Sequence, residues 1–227
     1  MPHFEHEGQA LFYREQGEGP LLLVLPGNTA SSACHEGELA YFGQSYRTIV
    51  PDFLGTGRSD RLEAWPDDWW ERAARDALAL VEHLGEQSCQ VVGTSGGGIV
   101  ALLMAIEQPA RVKAVVADSC VARLPPGSLL SVLQDRERRT PEQVSFWRQA
   151  HGHDWDQVVE ADTGLLLRFA ESGGDWFAGR LREIRCPVLF VASLRDELLP
   201  NVCEQLCSMV EQVADSRASC SVKVRTR

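Results

Sequence analysis

The stretch Cys89-Gln90-Val91-Val92-Gly93-Thr94-Ser95-Gly96-Gly97-Gly98-Ile99-Val100-Ala101-Leu102-Leu103-Met104-Ala105 decides the fold. Its first four residues form a short apolar run of strand type. The run from Gly98 is rich in helix formers. Between them lies G-x-S-x-G, at Gly93 to Gly97. A serine turned sharply between strand and helix needs small residues on both sides, because the turn is tight and strained. Such a turn lifts the Ser95 hydroxyl above the sheet at a helix N-terminus. The helix dipole and free N–H groups there favour negative charge. A Gly-rich turn without chemistry is the bland alternative, and the flanking strand and helix argue against it.

Working outward, Leu21-Leu22-Leu23-Val24-Leu25 is apolar without alternation, as a strand buried on both faces is. It ends at Pro26-Gly27-Asn28-Thr29-Ala30-Ser31-Ser32, and a helix is expected from near Ala33. Arg47-Thr48-Ile49-Val50 predicts the next strand, which ends in the loop from Pro51 to Asp60. Pro66 to His83 predicts a helix, with Ala73, Ala77, Leu80, Val81 and Leu84 on one stripe. His3 to Tyr13 reads as two short strands around Glu7-Gly8. Beyond the serine turn, Val112 to Ala117 predicts a buried strand ending at Asp118.

The text then changes character. Ser119 to Ile184 is Pro-rich at first, then helical and polar, with Trp147, Trp155 and Trp176. Core alternation resumes at Cys186 to Ala192. Then come Ser193-Leu194-Arg195-Asp196-Glu197-Leu198-Leu199-Pro200, a helix over Asn201 to Val213, and weak alternation from Ala218 to Arg225 that predicts a last strand. Alternating strands and helices imply an α/β fold: a mostly parallel central sheet flanked by helices. Residues 1–118 and 185–227 are expected to form the core, and 119–184 a short helical cap. Ligand sites in such sheets lie beyond the C-terminal strand ends. Asn28, Asp52, Ser95, Asp118 and Asp196 all fall at such ends and should gather on one edge, which the cap can roof.

Composition narrows the functions. The 227 residues, 44% hydrophobic and 24% charged, suit one large globular domain. A net charge of −10 argues against a nucleic-acid surface. No apolar run reaches the roughly 18 residues of a membrane span. The N-terminus lacks the basic and apolar regions of a signal peptide, so a cytoplasmic location with no membrane contact is expected. Seven cysteines without a C-x-x-C pair read as reduced thiols, mostly packing residues. No metal site is expected, since Cys203 and Cys207, four apart, lack further ligands nearby. No G-x-G-x-x-G follows the first buried strand, which argues against a dinucleotide-binding protein, and no cofactor is expected. The oligomeric state is not set by the sequence.

From the Leu21 strand to about Val213 the chain resembles the α/β-hydrolase family, in its branch of lidded, esterase-like serine hydrolases. The resemblance rests on the elbow at Gly93 to Gly97, on Asp52-Phe53-Leu54-Gly55-Thr56-Gly57-Arg58-Ser59-Asp60, which looks like that family's D-x-x-G-x-G-x-S loop, and on Arg195-Asp196 after a late apolar strand. It implies that Ser95 attacks an acyl carbon and that Asp196 orients a histidine, with Asp118 the fallback acid. The Asp52 loop itself reads as a structural turn. The family's oxyanion hole would use backbone N–H groups, here those of Gly96 and Asn28, with Thr29 next. The substrate would be a small ester, thioester, lactone or amide. A serine in place of an aspartate argues against dehalogenase or epoxide hydrolase chemistry.

One part of the pattern departs. The family's histidine follows the acid, yet the six histidines here are His3, His6, His35, His83, His151 and His153, all before Asp196. The basic tail from Ser216 reads unlike a family ending, as a truncated or frame-shifted tail would. Impaired activity is therefore expected, since loss of a triad member costs about 10⁴–10⁶ in kcat. A cap histidine, His151 or His153, could reach Ser95, although a solvated position is the expectation. The competing function is a non-catalytic protein of this fold that binds a small acyl compound.

Overall fold

The computed structural model describes residues 2–193, 196, 199 and 201–221. Among them, eight strands form one sheet in the order β1-β2-β4-β3-β5-β6-β7-β8. These are β1 (His3–His6), β2 (Gln9–Gln16), β3 (Leu21–Leu25), β4 (Arg47–Pro51), β5 (Cys89–Thr94), β6 (Val112–Asp118), β7 (Val188–Ser193) and β8 (Ser216–Ser221). β1 and β2 are antiparallel additions, and from β4 to β8 every neighbour is parallel. All five residues of β3 are buried, as its unbroken apolar text requires.

Helices cover both faces. α1 (Glu36–Phe42) lays Leu39 on Leu22, Val24 and Val50. On the other face lie α2 (Trp69–His83) and α3 (Gly96–Glu107). α3 is buried from Gly96 to Ile106, so it is a core helix and its sequence shows no polar face. α2 begins three residues later than its periodicity suggests: Asp68 stands at its N-cap, and the Pro66 carbonyl accepts the Trp69 N–H in a preceding turn. The helix expected from Ala33 is a 3-10 turn, Ser32–Cys34, before α1 starts at Glu36. α7 (Val202–Gln212) precedes β8, which starts before the expected Ala218, while residues 222–225 of that expected strand lie outside the described residues.

Between β6 and β7 run α4 (Leu130–Glu137), α5 (Pro141–His151) and α6 (Trp155–Glu171). α5 opens with a reciprocal capping box between Thr140 and Gln143 and with Pro141 in its first turn. Trp147 stacks on Trp155 at 5.4 Å, which ties α5 to α6.

The register brings the strand ends level. Leu25 pairs with Gly93, Thr94 with Asp118, and Asp118 with Val191. The Asp52 loop that flanks this edge is a structural turn, as expected. Its buried carboxylate accepts the N–H groups of Ser32 (2.6 Å) and Arg58 (2.7 Å). A side chain on Gly57, at φ 52°, would collide with that carboxylate.

Candidate active site

Ser95 sits between β5 and α3 at φ 55°, ψ −120°, a conformation that costs a non-glycine residue about 1–3 kcal/mol. The surroundings hold it there. Its N–H donates to the Asp118 carbonyl (2.8 Å), and its own carbonyl accepts from Gly98 (2.9 Å) and Ile99 (3.3 Å). The glycines permit the close approach. A Cβ on Gly93 would overlap the Gly97 carbonyl, and one on Gly97 would overlap that of Leu25. The exposed Ser95 faces a cavity of about 650 Å³, within the usual size of a small-molecule site. Gly27, Asn28, Ser119 and Gly96 lie at its base, and Leu124, Trp147 and Trp176 supply apolar wall.

Asn28 and Gly96 are brought together beside the serine. Gly96 opens α3, so its N–H has no partner within the helix. The Asn28 N–H has no acceptor among the described residues. A Cβ on Gly96 would lie 3.3 Å from the Asn28 nitrogen and would overlap Asn28 Oδ1, while one on Gly27 would lie 3.4 Å from Ser95 Cβ. Two N–H groups without an acceptor among the described residues thus lie beside a raised hydroxyl at a helix N-terminus, an arrangement able to receive developing oxygen charge.

The two expected acids stand at neighbouring strand ends. Half-buried Asp196 follows β7; its N–H donates to the Ser193 carbonyl (3.1 Å) and its Oδ1 accepts from the Leu199 N–H (3.2 Å). Arg195, beside which it was expected, lies outside the described residues. Asp118 Oδ1 accepts from the Ser119 hydroxyl (3.1 Å).

No hydrogen bond among the described residues joins Ser95 Oγ to an imidazole. His3 packs edge-on against Phe12, His83 tilts against Phe4, and His6 Nδ1 meets Asp76 at 2.6 Å. His153 is exposed. His151, expected to be solvated, is instead 4% exposed. Its Nδ1 accepts the Gly57 N–H and its Nε2–H donates to the Thr29 carbonyl, both at 3.1 Å. Both ring nitrogens are thus engaged, so His151 ties α5 to the loop carrying Asn28 instead of reaching Ser95. Burial pushes its pKa down to about 4, with the Arg61 charge acting in the same direction. His35 lines the cavity with its Nδ1 3.5 Å from Glu38.

Sequence reasoning missed Asp162 and Arg136. Asp162 on α6 is fully buried. It accepts the Asn28 side-chain amide at 2.6 Å and an Arg136 N–H at 2.5 Å. A signal was present: Asp162 stands in the apolar stripe Trp155, Val158, Val159, Leu165, Leu166, where a carboxylate demands partners. Arg136, on α4, carried none. The cap tryptophans pack, and Trp147 and Trp176 also line the cavity. Among the described residues no group of three or more His, Cys, Asp or Glu converges as metal ligands would. Three cysteines are buried, and Cys203, Cys207 and Cys220 are exposed, so packing accounts for fewer than expected.

The alpha/beta hydrolase fold family matches residues 20–163, well over half of the chain. The chain belongs to that family. It is 37% identical over 124 residues to the 2-hydroxymuconate semialdehyde hydrolase of Pseudomonas putida, a stretch that covers 51% of this chain and 43% of that protein. It is 26% identical over 201 residues to the human serine hydrolase BPHL, covering 85% of this chain and 69% of that one. Among solved structures, the enol-lactonase from Burkholderia xenovorans LB400 superposes with a TM-score of 0.77 at 18% identity, covering 97% of this chain and 91% of that one. The matched stretch spans less than half the length of several relatives, 39% and 43% in two cases. No helix among the described residues is long and apolar enough to cross a membrane.

Proposed function

We propose that this protein is a hydrolase that acts on a small ester, thioester, lactone or amide through an acyl-enzyme on Ser95. One observation carries the reading: a strained, exposed serine at the head of a buried helix, facing a cavity, with the N–H groups of Gly96 and Asn28, which have no acceptor among the described residues, beside it. In this reading the substrate carbonyl oxygen takes charge between those N–H groups as Ser95 Oγ attacks. The helices from α4 to α6 form a cap over the core, and the largely apolar wall selects a small apolar acyl group. Asp196 is the acid, with Asp118 its alternate.

The rate is low. With no imidazole hydrogen-bonded to Ser95 Oγ among the described residues, no base stands ready to take its proton during attack, and loss of a triad member costs about 10⁴–10⁶ in kcat. Cavity binding and the two N–H groups then supply what catalysis remains. The same observation favours a second reading, in which the cavity binds a small acyl compound and turns nothing over. Hydrolysis of p-nitrophenyl butyrate by the wild type and Ser95→Ala separates the two. The first reading expects slow turnover that Ser95→Ala abolishes. Turnover that survives Ser95→Ala would overturn it. Retained binding with no turnover in either protein would favour the second.

A further inference from the structure

We infer that Asp162 is a positioning residue for the oxyanion site, holding the Asn28 loop against Gly96 from within α6. The inference rests on the assignment of Asn28 and Gly96 just given. Five side chains form one chain of four hydrogen bonds. Trp70 Nε1–H donates to Asn28 Oδ1 (3.2 Å), Asn28 Nδ2–H to Asp162 Oδ1 (2.6 Å), Arg136 Nη2–H to Asp162 Oδ2 (2.5 Å), and Arg136 Nη1–H to Thr163 Oγ1 (2.7 Å). The Asn28 carboxamide is therefore gripped at both ends, by α2 on its oxygen and by α6 on its nitrogen.

The geometry makes the grip matter. Asn28 Oδ1 occupies the space that a Gly96 Cβ would fill, and the Asn28 nitrogen lies just beyond it. Losing the grip on the Asn28 side chain would free the loop that carries its backbone N–H, and a displacement of that loop by about 1 Å is enough to spoil a reacting geometry. A fully buried carboxylate is a costly way to fill a helix stripe unless it is paired and hydrogen-bonded. Here each oxygen has one donor, a cation of α4 on one side and the Asn28 loop on the other. Asp162 and Arg136 thus couple the seating of α4 and α6 to the shape of the serine site; Asp162 does so from outside the cavity wall, while Arg136 also lines the cavity.

Asparagine occurs twice in the chain, as Asn28 and Asn201. Selective ¹⁵N-asparagine labelling therefore resolves the Asn28 backbone and carboxamide signals with little overlap. The test compares the full chain with Asp162→Asn, which keeps an acceptor for Asn28, and with the charge-free pair Asp162→Leu/Arg136→Met. Each is read by NMR and by its phosphonylation rate at Ser95 with a fluorophosphonate. The double variant is expected to shift both Asn28 signals and slow phosphonylation at least tenfold, towards the roughly 10²–10³ lost when an oxyanion donor is removed. Asp162→Asn is expected to stay within about threefold of wild type, a rescue that packing alone does not explain. A folded double variant with unmoved Asn28 signals and wild-type rate would overturn the inference. If the double variant does not fold, Asp162→Glu, which keeps the charge but displaces the carboxylate, must shift the Asn28 signals, or the inference fails. Wild type that is not phosphonylated would sink the assignment of Ser95, and the NMR arm would still decide the grip on Asn28.

Discussion

His151 should make the stability of this protein depend on pH between about 6.5 and 4. Unfolded, the imidazole has its ordinary pKa of about 6.5. Folded, burial and the Arg61 charge push it down to about 4. In that window the unfolded state carries a proton that the folded state refuses, so stability falls as pH drops. Above pH 6.5 both states are neutral and the contribution is complete. Each pH unit between the two values is worth about 1.4 kcal/mol, so the full loss is about 3 kcal/mol. At 4% exposure the ring gains little relief from solvent. The perturbation is His151→Gln, which removes the titration, and the assay is urea unfolding of both proteins at pH 7, 6, 5 and 4.5. Carboxylates common to the two cancel in the difference. His151→Gln should be the less stable at pH 7, since the bonds to Gly57 and Thr29 are weakened, and its deficit should shrink steadily below pH 6.5. Parallel stability curves across the window would refute the reasoning.

Further outcomes follow from the same contacts. Gly96→Ala places a methyl group on Asn28 Oδ1 and should cost about 1–3 kcal/mol in stability while lowering phosphonylation, read by urea unfolding and mass spectrometry. Arg136→Met alone leaves Asp162 charged and buried and should destabilise by about 3–5 kcal/mol, whereas Asp162→Leu/Arg136→Met should cost much less in the same melts. At pH 8, iodoacetamide should alkylate exposed Cys203, Cys207 and Cys220 first. Cys89 and Cys120, whose thiols burial pushes up to about 12, should react only after denaturation, as peptide mapping would show. Thr140→Ala breaks the capping box of α5 and should cost about 1 kcal/mol in thermal unfolding.

The parts of the fold that were legible are those where local pattern and tertiary demand agree. The all-apolar β3 and the strand–serine–helix passage announce a parallel sheet, and the register then aligns their ends. Boundaries slipped where a turn precedes the helix, as in the turn closed by Pro66 and Trp69 before α2, or where a 3-10 turn replaced a helix start at Ser32–Cys34. That Ser95, Gly96 and Asn28 would come together could be expected from the strand–serine–helix passage and from the loop after β3, and the fold does bring the three to one cavity. The polar frame behind them was not. His151 read as solvated because Gly152 and His153 flank it, yet its partners at Gly57 and Thr29 lie far away in sequence and invert that reading. Asp162 could have been suspected from its apolar stripe, but the identity of its partners depends on how α4 and α6 fold over the loop at Asn28.

The most direct test of the central claim is intact mass after treatment with a fluorophosphonate, for wild type and Ser95→Ala, with circular dichroism showing both to be folded. The account predicts one slowly formed adduct on the wild type and none on Ser95→Ala. An adduct that persists in Ser95→Ala, or a folded wild type that stays unmodified over hours, would contradict it.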